Sequence, residues 1–256
     1  MSIQINLLPY HLGQFKYGTK FSPCLIANII QKLHKNLKIN NLYNINNYNT
    51  IRSLQKYIIK NLNTEANKIV NIGGDHTISI GTIPPMIKKF PNLKVLWIDA
   101  HADINNKLNS KTNSMHGMPV YYLSELYRYH YPLTFNNLMY IGLRDYDDFE
   151  KHLIDKHMIK NMSSDNLCEE QLCNFVGDDP IHVSFDFDVI DPTDFYCTGT
   201  HSFNGIKMNK LNKLLSALPK DNIVSIDLVE FNPNIGTTNH YNKSMKCIEN
   251  VCELLV

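Results

Sequence analysis

The sequence predicts an α/β protein: a single three-layer α/β/α domain built on a mostly parallel central sheet. Short apolar runs alternate with longer stretches of helical periodicity, which is the pattern of repeated βαβ units. The runs that start at Lys94 and Ile181 are nearly continuous in apolar residues, as expected of strands covered by helices on both sheet faces. Acidic and histidine-bearing motifs stand where several of these runs end, and ligands of open α/β sheets collect beyond the carboxyl ends of the strands.

Taken in chain order, residues 3–7 read as the first strand and 23–35 as a helix. The asparagine-rich stretch 39–49 reads as a polar loop. Ile51, Leu54, Tyr57 and Ile58 recur at helical spacing, with Thr50 available as the cap. Strand and helix then alternate: 68–72 with 78–90, 94–99 with 116–127, 138–143 with 164–176, 181–186 with 207–218, and 223–228 with 241–254. No internal repeat is evident. A chain of 256 residues suits one large domain spanning 1–256, and no stretch resembles a linker.

Composition narrows the function classes. A net charge of +1 with dispersed Lys and Arg offers no basic stripe for a phosphate backbone, so nucleic acid is not an expected partner. The start Met1-Ser2-Ile3-Gln4-Ile5-Asn6 lacks the charged region and apolar run of a secretion signal, and no apolar run reaches the length of a membrane span. The expectation is a soluble, cytoplasmic protein without a membrane partner. The six cysteines form no C-x-x-C pair, and a chain this long needs no disulfides to bury a core, so they are expected as reduced thiols.

The chemistry concentrates in three motifs: Ile72-Gly73-Gly74-Asp75-His76, Trp97-Ile98-Asp99-Ala100-His101-Ala102-Asp103, and Ser184-Phe185-Asp186-Phe187-Asp188. If Asp99, Asp103, Asp186 and Asp188 share one cavity, each pair at about 5 Å repels by roughly 3 kcal/mol at an effective dielectric of about 20. Summed over all pairs this is on the order of 20 kcal/mol, more than the roughly 5–15 kcal/mol by which a domain is stable. Protons or cations must neutralise the group, and divalent ions shared among carboxylates and neutral imidazoles would do so. Gly73 and Gly74 suit tight turning and close backbone approach, while Asp75 and Asp191 are expected to hold turns through backbone amides. His11, His34, His130, His152, His157, His182, His201 and His240 lie outside such motifs.

Gly-Gly-Asp-His, Asp-Ala-His-Ala-Asp and Ser-Phe-Asp-x-Asp-x-x-Asp-Pro, in this order, resemble the ureohydrolase superfamily of binuclear manganese enzymes. Within it the likeness is closest to the arginase branch. It extends through Met115-His116-Gly117-Met118-Pro119, Ile141-Gly142-Leu143-Arg144-Asp145, Thr198-Gly199-Thr200, Glu230-x-Asn232-Pro233 and the opening Pro9-Tyr10-His11-Leu12-Gly13-Gln14. Almost the whole chain is covered, with 23–70 shorter and less recognisable.

This resemblance implies an arginase-like fold, two Mn2+ per chain and a homotrimer or a hexamer of trimers. One ion would be held by His76, Asp99, Asp103 and Asp186, the other by Asp99, His101, Asp186 and Asp188. The implied reaction converts L-arginine and water to L-ornithine and urea by attack of metal-bound hydroxide on the guanidinium carbon. Asp103 would orient the nucleophile, His116 would shuttle protons and Glu230 would face the guanidinium. Asn105 and Thr112 would face the α-carboxylate, Asp147 and Glu150 the α-amino group, and Thr200 would contribute to substrate binding. The chain departs from the arginase pattern at Thr112-Asn113-Ser114, at Asp148-Phe149, and at Cys197 and His201. These changes concern the carboxylate-binding loop and the pocket mouth. Agmatinase and formimidoylglutamase share the metal motifs and differ at the substrate end. A non-catalytic descendant would lose ligands first, and all six are present.

Overall fold

In the computed structural model, which describes residues 2–127 and 131–256, strands and helices alternate along the chain. They are β1 (Ile3–Leu8), α1 (Ser22–Leu33), β2 (Leu37–Asn41), α2 (Ile51–Asn61), β3 (Lys68–Gly73), α3 (Ser79–Lys89), β4 (Lys94–Ile98) and α4 (Pro119–Leu123). The second half comprises β5 (Leu138–Ile141), α5 (Asp148–Lys156), β6 (Lys160–Met162), α6 (Glu169–Val176), β7 (Ile181–Asp186), α7 (Met208–Ser216), β8 (Ile223–Val229) and α8 (Thr238–Leu255). His130 lies outside the described residues.

The strands form one sheet in the order β2-β1-β3-β8-β7-β4-β5-β6. Every neighbouring pair is parallel, so the expected "mostly parallel" sheet is wholly so. Among the described residues β8 alone joins the two halves: it pairs with β3 on one side and β7 on the other.

Strand alternation divides the core into layers. Leu96 and Ile98 of β4 join Val183, Phe185, Ile226 and Leu228 beneath α1, α6, α7 and α8. Val95 and Trp97 of the same strand face Ile83, Met86, Val120, Leu153 and Ile154 from α3, α4 and α5 on the other side. The three-layer expectation therefore holds. Among the described residues no helix is long and apolar enough to cross a membrane.

All six strands read from the sequence are present. Among the described residues two more strands appear that the sequence does not predict. β2 falls partly in the stretch taken for a polar loop, and β6 is three residues long. Each is an edge strand with a single neighbour, so neither needs an apolar face. The helix expected over 116–127 is shorter than predicted: Met115–Gly117 is a 3-10 turn, and α4 begins at Pro119 and ends at Leu123. Proline suits the first helical position, where its missing N–H is not needed. Thr50 caps α2 as expected, accepting from the Ser53 amide at 3.3 Å.

α2 and α3 cross closely at Gly81, where an added Cβ would lie 2.4 Å from the Ile58 Cβ. Gly81→Ala is expected to destabilise the protein, because overpacking costs about 1–3 kcal/mol against at most about 1 kcal/mol gained in helix propensity. A lower urea midpoint at unchanged slope would bear this out, and an unchanged midpoint would contradict it.

Candidate metal centre

β3, β8, β7 and β4 are consecutive in the sheet and parallel, so the residues following them emerge side by side at one end. Those residues are Asp75 and His76, Glu230, Asp186 with Asp188, and Asp99 to Asp103. The topology thus gathers the three motifs.

After β3, the chain must pass against the N-terminal loop. A Cβ on Gly74 would sit 1.9 Å from the Tyr10 carbonyl oxygen, so glycine is needed here for space. The Asp75 carboxylate then accepts the Gly13 amide at 2.8 Å and the Thr77 amide at 3.0 Å. This anchors the 3-10 turn His76–Ile78. The His76 ring stacks on Trp97 at 4.1 Å between centroids, and its Nε2 lies 2.8 Å from Ser184 Oγ. Its Nδ1 has no hydrogen-bond partner, although it is wholly buried. That nitrogen stands 3.0 Å from Asp99 Oδ2, 3.2 Å from Asp103 Oδ2 and 3.3 Å from Asp186 Oδ2.

Past β4, Asp99 accepts from Trp97 Nε1 at 3.0 Å and from the His101 amide at 2.7 Å. His101 Nδ1 lies 3.0 Å from Asp188 Oδ2 and 3.5 Å from Asp99 Oδ1. Asp186 accepts the Asp188 amide at 2.8 Å, and Asp188 accepts Thr200 Oγ1 at 3.1 Å. Asp103 and Glu230 both have left-handed backbones, with φ of 50° and 69°. Such conformations cost non-glycine residues about 1 kcal/mol or more and cluster at functional sites.

Two sets of donors result, His76 with Asp99 and Asp103, and Asp99 with His101 and Asp188, sharing Asp99. Convergent carboxylate oxygens and an imidazole lone pair suit a hard or borderline divalent cation. The electrostatics agree. Burial, then repulsion from Asp188 and Asp99, pushes the Asp186 carboxyl well above the usual range. Burial and Asp99 push Asp103 up to about 6. Burial disfavours charge on His76 and His101, yet the surrounding carboxylates outweigh it and raise both imidazoles. Without a cation the cluster holds protons instead. The buried, partnerless Nδ1 of His76 facing three carboxylates is what a resident ion would explain, so the residues fit the group.

Above this floor lies a cavity of about 430 Å³. His101, Asp103, Asp186, Asp188 and His116 line it, together with Asn105, Thr112, Asp147, Glu150 and Thr200. His76 and Asp99 sit beneath, fully buried. Glu230 is 1 % exposed. It accepts the His76 amide at 2.9 Å, lies 3.2 Å from His116 Nδ1, and receives Gln14 Nε2 at 2.5 Å. Burial opposes charge on His116, but Glu230 lifts its pKa to about 9.

At the far wall Asp147 is the N-cap of α5. It accepts the amides of Phe149 and Glu150, while Glu150 accepts the Asp147 amide and Asn105 Nδ2 reaches Asp147 Oδ2 at 2.8 Å. Asp-x-x-Glu is a capping box, a signal in the sequence that would have revealed α5. Sequence reasoning assigned no role to Gln14, nor to Lys16 and Lys111, which also line the cavity. Lys16 Nζ donates to the Gly199 carbonyl at 2.5 Å. Among the departures, Cys197 is fully buried and His201 Nε2 lies 2.6 Å from the Tyr196 carbonyl oxygen. Neither lines the cavity. Asp191 accepts the Thr193 amide at 3.0 Å and Lys207 Nζ at 2.7 Å, holding its turn as expected.

The family model described as Arginase family matches residues 2–253. Arginase of Entamoeba histolytica is 31% identical over 283 aligned positions, covering 95% of each chain. Its crystal structure in complex with L-ornithine superposes with a TM-score of 0.85 at 26% identity over 98% of both chains. The crystal structure of Bacillus subtilis arginase gives a TM-score of 0.87 at 27% identity, again over 98% of both.

Proposed function

The chain belongs to the arginase family of hydrolases, which act on guanidino carbon–nitrogen bonds at a binuclear metal site, and on that premise we propose that it hydrolyses L-arginine to L-ornithine and urea with two Mn2+ bound. The observation that carries the reading is Asp99 standing between two donor sets. His76, Asp99, Asp103 and Asp186 would hold one ion, and Asp99, His101, Asp186 and Asp188 the other. Bound there, the ions supply a nucleophile at neutral pH by lowering the pKa of water from about 15.7 toward 7.

The protein's own groups do the rest. Glu230 offers a buried carboxylate to the planar fork of a guanidinium. Asp103, which lines the cavity, accepts a hydrogen bond from the attacking water. As the bond from the guanidinium carbon to the side-chain nitrogen breaks, the departing amine takes the proton that the attacking water gives up through Asp103. His116, at the cavity wall and 17 % exposed in its side chain, exchanges protons with solvent. Asn105 and Thr112 face the α-carboxylate, with Lys111 on the same loop adding positive charge. Asp147 and Glu150 face the α-amino group, and Thr200, held by Asp188, closes the wall.

The test is release of urea and amine by the Mn2+-loaded protein offered L-arginine and agmatine side by side. Urea with ornithine from arginine is expected. Preference for agmatine, or no product from either with metal bound, would overturn the substrate assignment. Asn105→Ala is expected to lower kcat/KM for arginine roughly 10- to 100-fold, the worth of a hydrogen bond to a charged group. Agmatine, which lacks the carboxylate, should lose far less; equal losses would count against arginine.

A further inference from the structure

Asp227, on β8 three residues before Glu230, is a fully buried carboxylate for which the chemistry above has no use. It accepts Asn71 Nδ2 at 2.8 Å, Ser79 Oγ at 2.8 Å and Thr82 Oγ1 at 2.5 Å, and His182 Nε2 lies 3.6 Å away. Burial opposes its charge, but His182 and these donors hold the carboxyl below the usual range. An ionised carboxylate can only accept. The Ser79 hydroxyl proton must therefore point at Asp227, leaving Ser79 Oγ as an acceptor.

That polarity propagates. Ser184 Oγ lies 3.4 Å from Ser79 Oγ and 2.8 Å from His76 Nε2. With Ser79 oriented by Asp227, both contacts can be hydrogen bonds only if the Ser184 hydroxyl donates to Ser79 and accepts from His76. In the neutral ring that a metal requires, His76 then carries its proton on Nε2, and Nδ1, which faces three carboxylates, is left with a lone pair to offer. Ser79, Ser184, Asp227 and His76 are all fully buried, so no water competes for these hydrogen bonds at the surface. The partner of a ligating imidazole's second nitrogen decides its tautomer and ring orientation.

We propose that Asp227 is a positioning residue for the metal centre, acting through Ser79 and Ser184 to hold His76 in the tautomer whose Nδ1 binds metal. The proposal rests on the metal-site reading above. Thr82 provides the control, since its hydroxyl binds the same carboxylate oxygen without lying on the path to His76.

The experiment measures Mn2+ affinity of the full chain by calorimetry, and the Nε2–H resonance of His76 in the Zn2+-loaded protein by 15N-edited NMR. Ser79→Ala and Asp227→Asn are each expected to weaken Mn2+ binding about 10-fold, the lower end for outer-sphere partners of ligating histidines. Both should also speed solvent exchange of the Nε2–H. Thr82→Val is expected to change affinity less than about two-fold and leave the resonance in place, on the same principle. Equal losses in Ser79→Ala and Thr82→Val would make Asp227 a packing element only, and an unchanged Ser79→Ala would overturn the relay. If Asp227→Asn does not fold, the Ser79 and Thr82 pair still decides. Wild-type protein run alongside separates the readings. Failure of wild type to bind Mn2+ overturns both, whereas wild-type binding and arginine hydrolysis with an indifferent Ser79→Ala overturns only this one.

Discussion

Asp186→Asn is expected to abolish Mn2+ uptake and lower arginine turnover by at least roughly a thousandfold, since the nucleophile depends on acidified water, while making the metal-free protein more stable. Both effects come from the same place. Asp186 ends β7 with one oxygen on the Asp188 amide and the other 3.3 Å from His76 Nδ1. Its carboxyl is forced up by burial and by Asp188 and Asp99. An amide keeps the shape and removes one negative charge from a crowded set, where a like pair at about 5 Å repels by about 3 kcal/mol at an effective dielectric near 20. Protons already offset part of that repulsion, so a gain of about 1–2 kcal/mol is expected. Wild type should instead gain stability from Mn2+, about 2.7 kcal/mol at a hundred times Kd. Thermal melts with and without Mn2+ should therefore cross between the two proteins. A variant that bound Mn2+ and turned over like wild type would end the metal-centre assignment.

Glu230→Gln should lower kcat/KM for arginine by roughly 100- to 1,000-fold while leaving Mn2+ affinity within a few-fold. Losing the charge opposite a desolvated guanidinium costs about 3–4 kcal/mol, or two to three decades in rate. The glutamine oxygen can still accept the His76 amide, so the turn carrying His76 survives. What is lost is the charge that lifts His116 to about 9 against its burial. The His116 titration in the metal-free protein should therefore move down, measurable by NMR on metal-free samples of the two proteins. Unchanged kcat/KM would remove Glu230 from the substrate site.

Most of the sheet was legible because its central strands are buried on both sides and must be apolar. β2 and β6 were not, because an edge strand such as Leu37–Asn41 is half-exposed and reads as loop. The three acidic and histidine motifs that converge in the site were legible since they are contiguous and sit at strand ends. Gln14 was not recognised as a partner of Glu230, because the two are 216 residues apart and no local pattern links them. Asp227 was hidden for a different reason. A lone acid inside Ile223–Val229 looks like a solvent-facing position of an alternating strand. Only the pairing with β3 shows that Asn71 and the hydroxyls of α3 surround it.

The place of β8 also bears on how the chain is born. During synthesis, β1 to β3 and β4 to β7 emerge as two partial sheets, each with an open edge of unpaired amides and carbonyls. The strand that closes both is Ile223–Val229, which leaves the ribosome only after all seven other strands. Residues 74 to 222 take on the order of ten seconds to synthesise at roughly 5–20 residues per second, and for that time β3 waits unsatisfied, whereas β7, ending at Asp186, waits only a few seconds. A nascent chain stopped before β8 would expose two sticky edges and lack Glu230, so ribosome stalling in that window would produce a species prone to aggregate and unable to assemble the cavity.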